Sequence, residues 1–185
     1  MANSATTILD TLRSQLDLTD FRKLHWEGSF NEYLNIVLEH PEVTRTAYQR
    51  LYDMILSHGT EDVYENKEKI IRFKFFTDYA AKYGEAVFGL DRALMQLVNT
   101  FKSAARGYGT ERRVLLLHGP VGSSKSTIAR LLKKGLEAYS KTDAGKCYTY
   151  MWRVHHRGPA GDEGETYVEC PMHEEPLLLI PRDAR

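Results

Sequence analysis

The residues with the clearest chemistry run from Gly119 to Thr127, reading Gly119-Pro120-Val121-Gly122-Ser123-Ser124-Lys125-Ser126-Thr127. A glycine-containing turn that delivers a lysine and a hydroxyl residue into the start of a helix is built to grip phosphate. Successive backbone N–H groups can face one concavity, and the positive end of the helix dipole adds to them. In that arrangement Lys125 is the cation for β- and γ-phosphate oxygens, Ser126 is placed to ligate Mg²⁺, and Thr127 can bond an α-phosphate oxygen. The expected ligand is ATP with Mg²⁺. One position departs from the pattern G-x-x-x-x-G-K-[ST]: Ser124 stands where the second glycine belongs. Glycine suits a backbone passing close to phosphate, whereas serine keeps the N–H donor and adds a Cβ.

Other residues could do chemistry with less support. Ala86-Val87-Phe88-Gly89-Leu90 is a candidate apolar surface for the adenine base, or equally a helix entry packed on the core. Cys147, His155, His156, Cys170 and His173 include the pair Cys170-Pro171-Met172-His173, whose gap would suit two zinc ligands. Neither spacing forms a recognised zinc framework, so a buried Cys170 and solvated loop histidines are the expected arrangement. Asp162-Glu163 does not read as the acidic pair that ends an ATPase strand, because Gly161 precedes it in a loop. Glu174 and Glu175 read as solvated charges.

The elements that must position the phosphate loop follow from periodicity. Val114-Leu115-Leu116-Leu117 is a short apolar run, expected as a buried strand of a parallel sheet. Ile128, Leu131, Leu132 and Leu136 give the apolar face of the helix after the loop. Upstream, Ser29 and Glu32 have capping-box spacing, and Phe30, Tyr33, Leu34 and Val37 share one helical face. Pro41 marks a break. A second helix runs through Ala47, Tyr48, Leu51, Tyr52 and Ile55 to a stop near Gly59, and a third carries Leu90, Ala93, Leu94, Leu97, Val98, Phe101 and Ala105 to a stop at Gly107. Between them, Thr60 to Lys69 reads as loop or helix start, and Ile70 to Phe76 fits helix and strand alike. Cys147 to Val154 alternates as a strand, His155 to Glu165 reads as a loop, Tyr167-Val168 as a short return strand, and Leu177 to Ile180 as a sheet edge or a segment outside the sheet.

Bulk properties narrow the classes. Apolar residues make up 42% and charged residues 27% of 185, a globular composition. Basic and acidic residues balance at 25 each, so there is no general electrostatic reason to bind nucleic acid or membrane. Lys133, Lys134, Lys141 and Lys146 are expected to form a solvated helix face. No apolar run approaches the ~20 residues that span a bilayer, and Met1 to Asp20 lacks the apolar stretch of a signal peptide. Two cysteines, Cys147 and Cys170, fit a reducing compartment. A cytosolic protein is expected.

Taken together, Phe88-Gly89-Leu90-Asp91-Arg92-Ala93-Leu94, Ser103-Ala104-Ala105-Arg106-Gly107, Leu117-His118-Gly119-Pro120-Val121-Gly122, Cys170 through Leu177 and Trp26 through Leu34 resemble the N-terminal part of the bacterial PrkA family of serine protein kinases. That resemblance implies a cytoplasmic, ATP-dependent protein with an AAA+ core and protein phosphorylation as its activity. It carries over residue by residue only for Gly119 to Thr127. The expected architecture is α/β: a helical N-terminal region, 1–84, followed by an incomplete P-loop, AAA+-like core, 85–185. Family members are several times longer, so this chain is expected to be a fragment or truncated product, catalytically incomplete alone. The protein substrate is not identified. A homo-oligomer is compatible with the family, since arginine fingers usually come from a neighbouring subunit. Two further functions stay open: an AAA+ motor or chaperone-like ATPase, and a nucleotide-gated interaction module without turnover.

Overall fold

Burial of apolar helix faces organises this chain more than its sheets do. The computed structural model describes residues 25–65, 67–157, 163–181 and 183, in two units, Met1–Glu39 and His40–Arg185. The stretch Met1 to Asp20, residues 158–162 with Asp162, and Arg182 and Arg185 lie outside the described residues. The first unit contributes helix α1, Phe30–Glu39. Its capping box forms as the spacing predicts: Ser29 N–H donates to Glu32 Oε2 at 2.6 Å, and Glu32 N–H donates to Ser29 Oγ at 3.3 Å. Tyr33 is the buried residue of its apolar face.

The second unit opens with a 3₁₀ turn, Pro41–Thr44, and helix α2, Ala47–Ser57. A second capping box starts α2, with Thr46 and Gln49 each bonding the other's backbone N–H, and Gly59 ends it at φ 88°. The segment Thr60 to Lys69, expected as loop or helix start, instead forms most of an antiparallel hairpin of β1, Thr60–Glu65, and β2, Glu68–Phe73. The charges that made it read as solvated loop serve as cross-strand partners: Glu61 lies opposite Arg72, with their charged groups 3.8 Å apart. The ambiguous run Ile70 to Phe76 is both things in turn, strand to Phe73 and then a π-type helical turn, Phe75–Tyr79. Helix α3, Asp91–Ala105, buries Leu94, Val98, Phe101 and Ala104, and Gly107 follows it at φ 71°.

Helix α4, Lys125–Ser140, buries Ile128 and Leu131. One core joins these helices. Met54 and Ile55 of α2, Phe75 and Phe76 of the π-type turn, Leu94, Val98 and Phe101 of α3, and Ile128 and Leu131 of α4 pack with Val87. Gly135 lets α4 approach closely, since a Cβ there would lie 2.6 Å from Phe75 Cε2 and 2.9 Å from Met54 Sδ. Buried Arg50 ties α2 to the turn after α4 by donating to the carbonyls of Gly145 and Lys146.

Two expectations about strands are corrected. Val114 to Leu117 has no regular secondary structure and no ladder partner among the described residues, and Val114 and Leu116 are 95% and 84% exposed rather than buried. A parallel strand needs a neighbour brought alongside by a crossover. The next strand along the chain is engaged elsewhere: β3, Met151–Arg157, pairs antiparallel with β4, Glu163–Glu169. The expected strand Cys147 to Val154 therefore begins later and extends through His155 and His156, which read as loop. Cross-strand pairing with the expected return strand at Tyr167-Val168 sets those limits. Leu177 to Ile180 lies outside any sheet, in a 3₁₀ turn Pro176–Leu179. Among the described residues no helix is long and apolar enough to cross a membrane.

Candidate functional site

The irregular segment 114–118 leads into a turn at Gly119 to Ser124, and α4 starts at Lys125. Two residues of the turn are left-handed, Gly122 at φ 83° and Ser124 at φ 56°. Ser124 occupies a conformation that costs a non-glycine residue about 1–2 kcal/mol, which is a second physical reason for glycine at that position besides close approach to phosphate. The loop is held by its own side chains. Ser123 Oγ donates to the Pro120 carbonyl at 2.8 Å, and Lys125 Nζ donates to the Gly119 carbonyl at 2.9 Å, to Ser123 Oγ at 2.9 Å and to the Pro120 carbonyl. The lysine ammonium thus sits across the mouth of the turn. Gly119 has close company, since a Cβ there would lie 2.9 Å from Ser123 Oγ.

A concavity of about 290 Å³ is lined by Gly122, Ser123, Ser124, Lys125, Ser126 and Thr127. Its walls are hydroxyls, one ammonium and the first turn of α4, whose leading N–H groups have no acceptor within the helix. Such a surface can take an anion with several oxygens. Val121, at the tip of the loop, is fully exposed.

The candidate base segment runs beside the core. Val87 is buried, and its N–H donates to the Phe76 carbonyl at 2.9 Å. Phe88 is 75% exposed, and Gly89 turns at φ 73° into α3. A second concavity, about 250 Å³, is lined by Glu65, Gly89, Leu90, Asp91, Arg92 and Ala93. Charge pairs hold the β1–β2 hairpin against this corner. Arg72 grips Asp91 with two bonds of 3.1 and 2.9 Å, and Arg92 reaches Glu65 and Glu68 at 3.3 and 2.8 Å.

The remaining candidates do not gather at one point. Cys147 is exposed and Cys170 buried, both as free thiols. His155 pairs with Glu165 at 3.3 Å, and His156 meets the Thr166 hydroxyl at 3.4 Å. Among the described residues no group of three or more His, Cys, Asp or Glu side chains could hold a metal ion. The Glu174 backbone N–H, ahead of the Tyr150 hydroxyl, pulls the Cys170 thiol below its ordinary pKa. Of the lysines after the loop, Lys134, Lys141 and Lys146 pair with Glu85, Glu137 and Asp143. Sequence reasoning missed Glu85, whose carboxylate meets Arg130 and Lys134 of α4; partners so far apart in the chain leave no periodic signal.

The geometry is that of a left-handed turn delivering Lys125, Ser126 and Thr127 into a helix on an apolar core, and comparison with known proteins supplies the kinship. The chain is 38% identical over 165 residues to a protein of Bacillus subtilis named ATP-dependent protease PrkA, covering 89% of this chain and 22% of that protein. It is 41% identical over 49 residues to the Escherichia coli K12 protein named serine/threonine kinase YeaG, covering 26% of this chain and 8% of the relative. A Geobacillus stearothermophilus protein of uncharacterised role is 38% identical over 93 residues, covering half of this chain and 84% of its own length. The chain thus spans about a fifth of the length of the Bacillus relative. No solved structure matches it. The family described as the PrkA AAA domain matches residues 28–185, and the chain belongs to that family.

Proposed function

We propose that Gly119 to Thr127 bind the triphosphate of ATP, and that the chain is the nucleotide-binding N-terminal portion of a cytoplasmic PrkA-type serine/threonine protein kinase. The observation that carries this reading is the pair of left-handed residues, Gly122 and Ser124, which turn the chain into α4 with Lys125 at its first position. Successive N–H groups in such a turn converge on an anion. Lys125 Nζ already bridges loop oxygens and needs only to swing outward to reach phosphate. Ser126 and Thr127 line the same concavity. Mg²⁺ typically takes few protein ligands and binds through substrate phosphates, which fits a site offering the Ser126 hydroxyl and no carboxylate. Bound there with ATP, the ion would neutralise charge between β- and γ-phosphate oxygens. The protein's own residues bind and orient the triphosphate.

The test is calorimetric titration with Mg²⁺-ATP of the parent and of Lys125→Ala. Losing a charge-assisted bond to phosphate should weaken binding by about 10- to 150-fold, to the edge of detection. Near-parental affinity in a variant that unfolds at the parental temperature would overturn the assignment. The kinase reading draws on the name of the Escherichia relative. The Bacillus relative is instead named an ATP-dependent protease, and a second reading of this chain is an AAA+ ATPase whose turnover drives work on a partner protein. Labelled γ-phosphate arriving on a serine of a protein substrate, rather than as free phosphate, separates the two in the full-length protein.

A further inference from the structure

Two carboxylates of the second unit, Glu85 and Glu111, have a buried oxygen with no hydrogen-bond partner among the described residues, and Glu85 is the one paired to α4. Its side chain is only 16% exposed, and Oε1 accepts from Arg130 Nε at 2.8 Å, with Lys134 Nζ at 3.5 Å. Its Oε2 is buried with no hydrogen-bond partner among the described residues. A carboxylate withdrawn from water is costly unless fully paired, and this one is paired on one oxygen only. A group retained at such cost calls for a reason beyond stability.

Its place in the chain suggests that reason. The backbone around Glu85 is pinned, with its N–H on the Ala80 carbonyl at 3.0 Å and the Val87 N–H on the Phe76 carbonyl at 2.9 Å. Immediately after come exposed Phe88 and the left-handed Gly89. On the other side, Arg130 sits on the helix that begins at Lys125, about 7.5 Å further along its axis. The carboxylate therefore joins the segment Ala86–Leu90 to the helix that carries the phosphate-gripping lysine.

We infer that Glu85 is a positioning residue: by holding Arg130 and Lys134 it fixes the distance between the base-binding segment Ala86–Leu90 and the phosphate loop, and so sets the preference for an adenine nucleotide over a bare triphosphate. The inference rests on the ATP reading of Gly119 to Thr127 and on the candidate segment Ala86–Leu90 as the surface for the base. Glu85 touches neither base nor phosphate in this role. It acts by keeping two binding surfaces in register, so a nucleotide spanning both gains affinity that a ligand touching one does not.

The experiment is displacement of a fluorescent ATP analogue by Mg²⁺-ATP and, separately, by inorganic tripolyphosphate. The proteins are the parent, Glu85→Gln, Arg130→Gln and the double variant. Arg130 is half-exposed, so its variant keeps the test alive should Glu85→Gln fail to fold. Each single variant should weaken ATP by about fivefold while tripolyphosphate stays within about twofold of the parent, and the double variant should be no worse than either single one. Equal loss for both ligands would overturn the inference by making Glu85 a support of the loop or fold. Unchanged ATP affinity in both single variants would overturn it as well. A parent that binds neither ligand would instead remove the phosphate-loop reading, and this inference with it.

Discussion

Ser124 holds a left-handed backbone at φ 56°, directly before the lysine proposed to meet phosphate. The strain of about 1–2 kcal/mol is offset only in part by the entropy that glycine would lose on folding, about 0.5–1 kcal/mol relative to alanine. Ser124→Gly is therefore expected to leave thermal stability equal or slightly raised, and to bind Mg²⁺-ATP at least as tightly as the parent. Titration calorimetry with a parallel melting curve checks both. A large loss of affinity would mean that the Ser124 hydroxyl makes a contact of its own with the nucleotide. Lys125 belongs to the same scale. Its three loop acceptors keep the ammonium at the mouth of the turn, and losing it should cost affinity more than stability.

At the scale of elements, α4 illustrates a conflict between local and tertiary preference. Gly135 lies inside that helix, where alanine would gain about 0.8–1 kcal/mol of helix propensity. Yet the added Cβ would lie 2.6 and 2.7 Å from the Phe75 ring and 2.9 Å from Met54 Sδ, both on fully buried side chains. The ring cannot retreat easily, being stacked on Tyr79 at 5.2 Å and set edge-on to Phe76 at 4.9 Å. Overpacking of this kind typically costs about 1–3 kcal/mol, so packing wins. Gly135→Ala should lower the melting temperature by a few degrees, and an unchanged or raised value would mean that α4 moves freely on the core. The same contrast governs what the sequence reveals. Helices α1 to α4 are legible because burial of one face writes a 3.6-residue period, and Gly59 and Gly107 mark their ends through positive φ. The turn from Gly119 into α4 is legible because its residues are consecutive in the chain. The β1–β2 hairpin is not, since its specification lies in cross-strand pairs such as Glu61 with Arg72, which the periodicity of a single strand does not report. The Glu85 link escapes for the same reason. Val114 to Leu117 misleads because an apolar run reports a preference for burial, while pairing depends on neighbours.

At the scale of the whole molecule, phosphate binding and phosphoryl transfer come apart. Transfer needs a carboxylate that orients the nucleophile or holds the metal, and a cation that offsets charge on the transferred group. In the sequence Arg157, the last residue of β3, is followed by Gly158 rather than an acidic pair, and among the described residues Leu177 to Leu179 form a 3₁₀ turn rather than a strand. This polypeptide of 185 residues should therefore bind Mg²⁺-ATP yet release phosphate no faster than its Lys125→Ala variant. Steady-state phosphate release measures it. Turnover well above that background would reveal a catalytic acid among residues assigned no such role.

The core described above joins helices that are far apart in the chain, and this has a consequence in time. Ile55 of α2 packs in one cluster with Leu131 of α4, a separation of 131 − 55 = 76 residues. At about 5–20 residues per second, a ribosome needs about 4–15 s to make that interval. Throughout it the apolar face of α2 has been made before its last covering helix exists. The nascent chain, rather than the finished protein, is then the form most exposed to proteases and in greatest need of a chaperone.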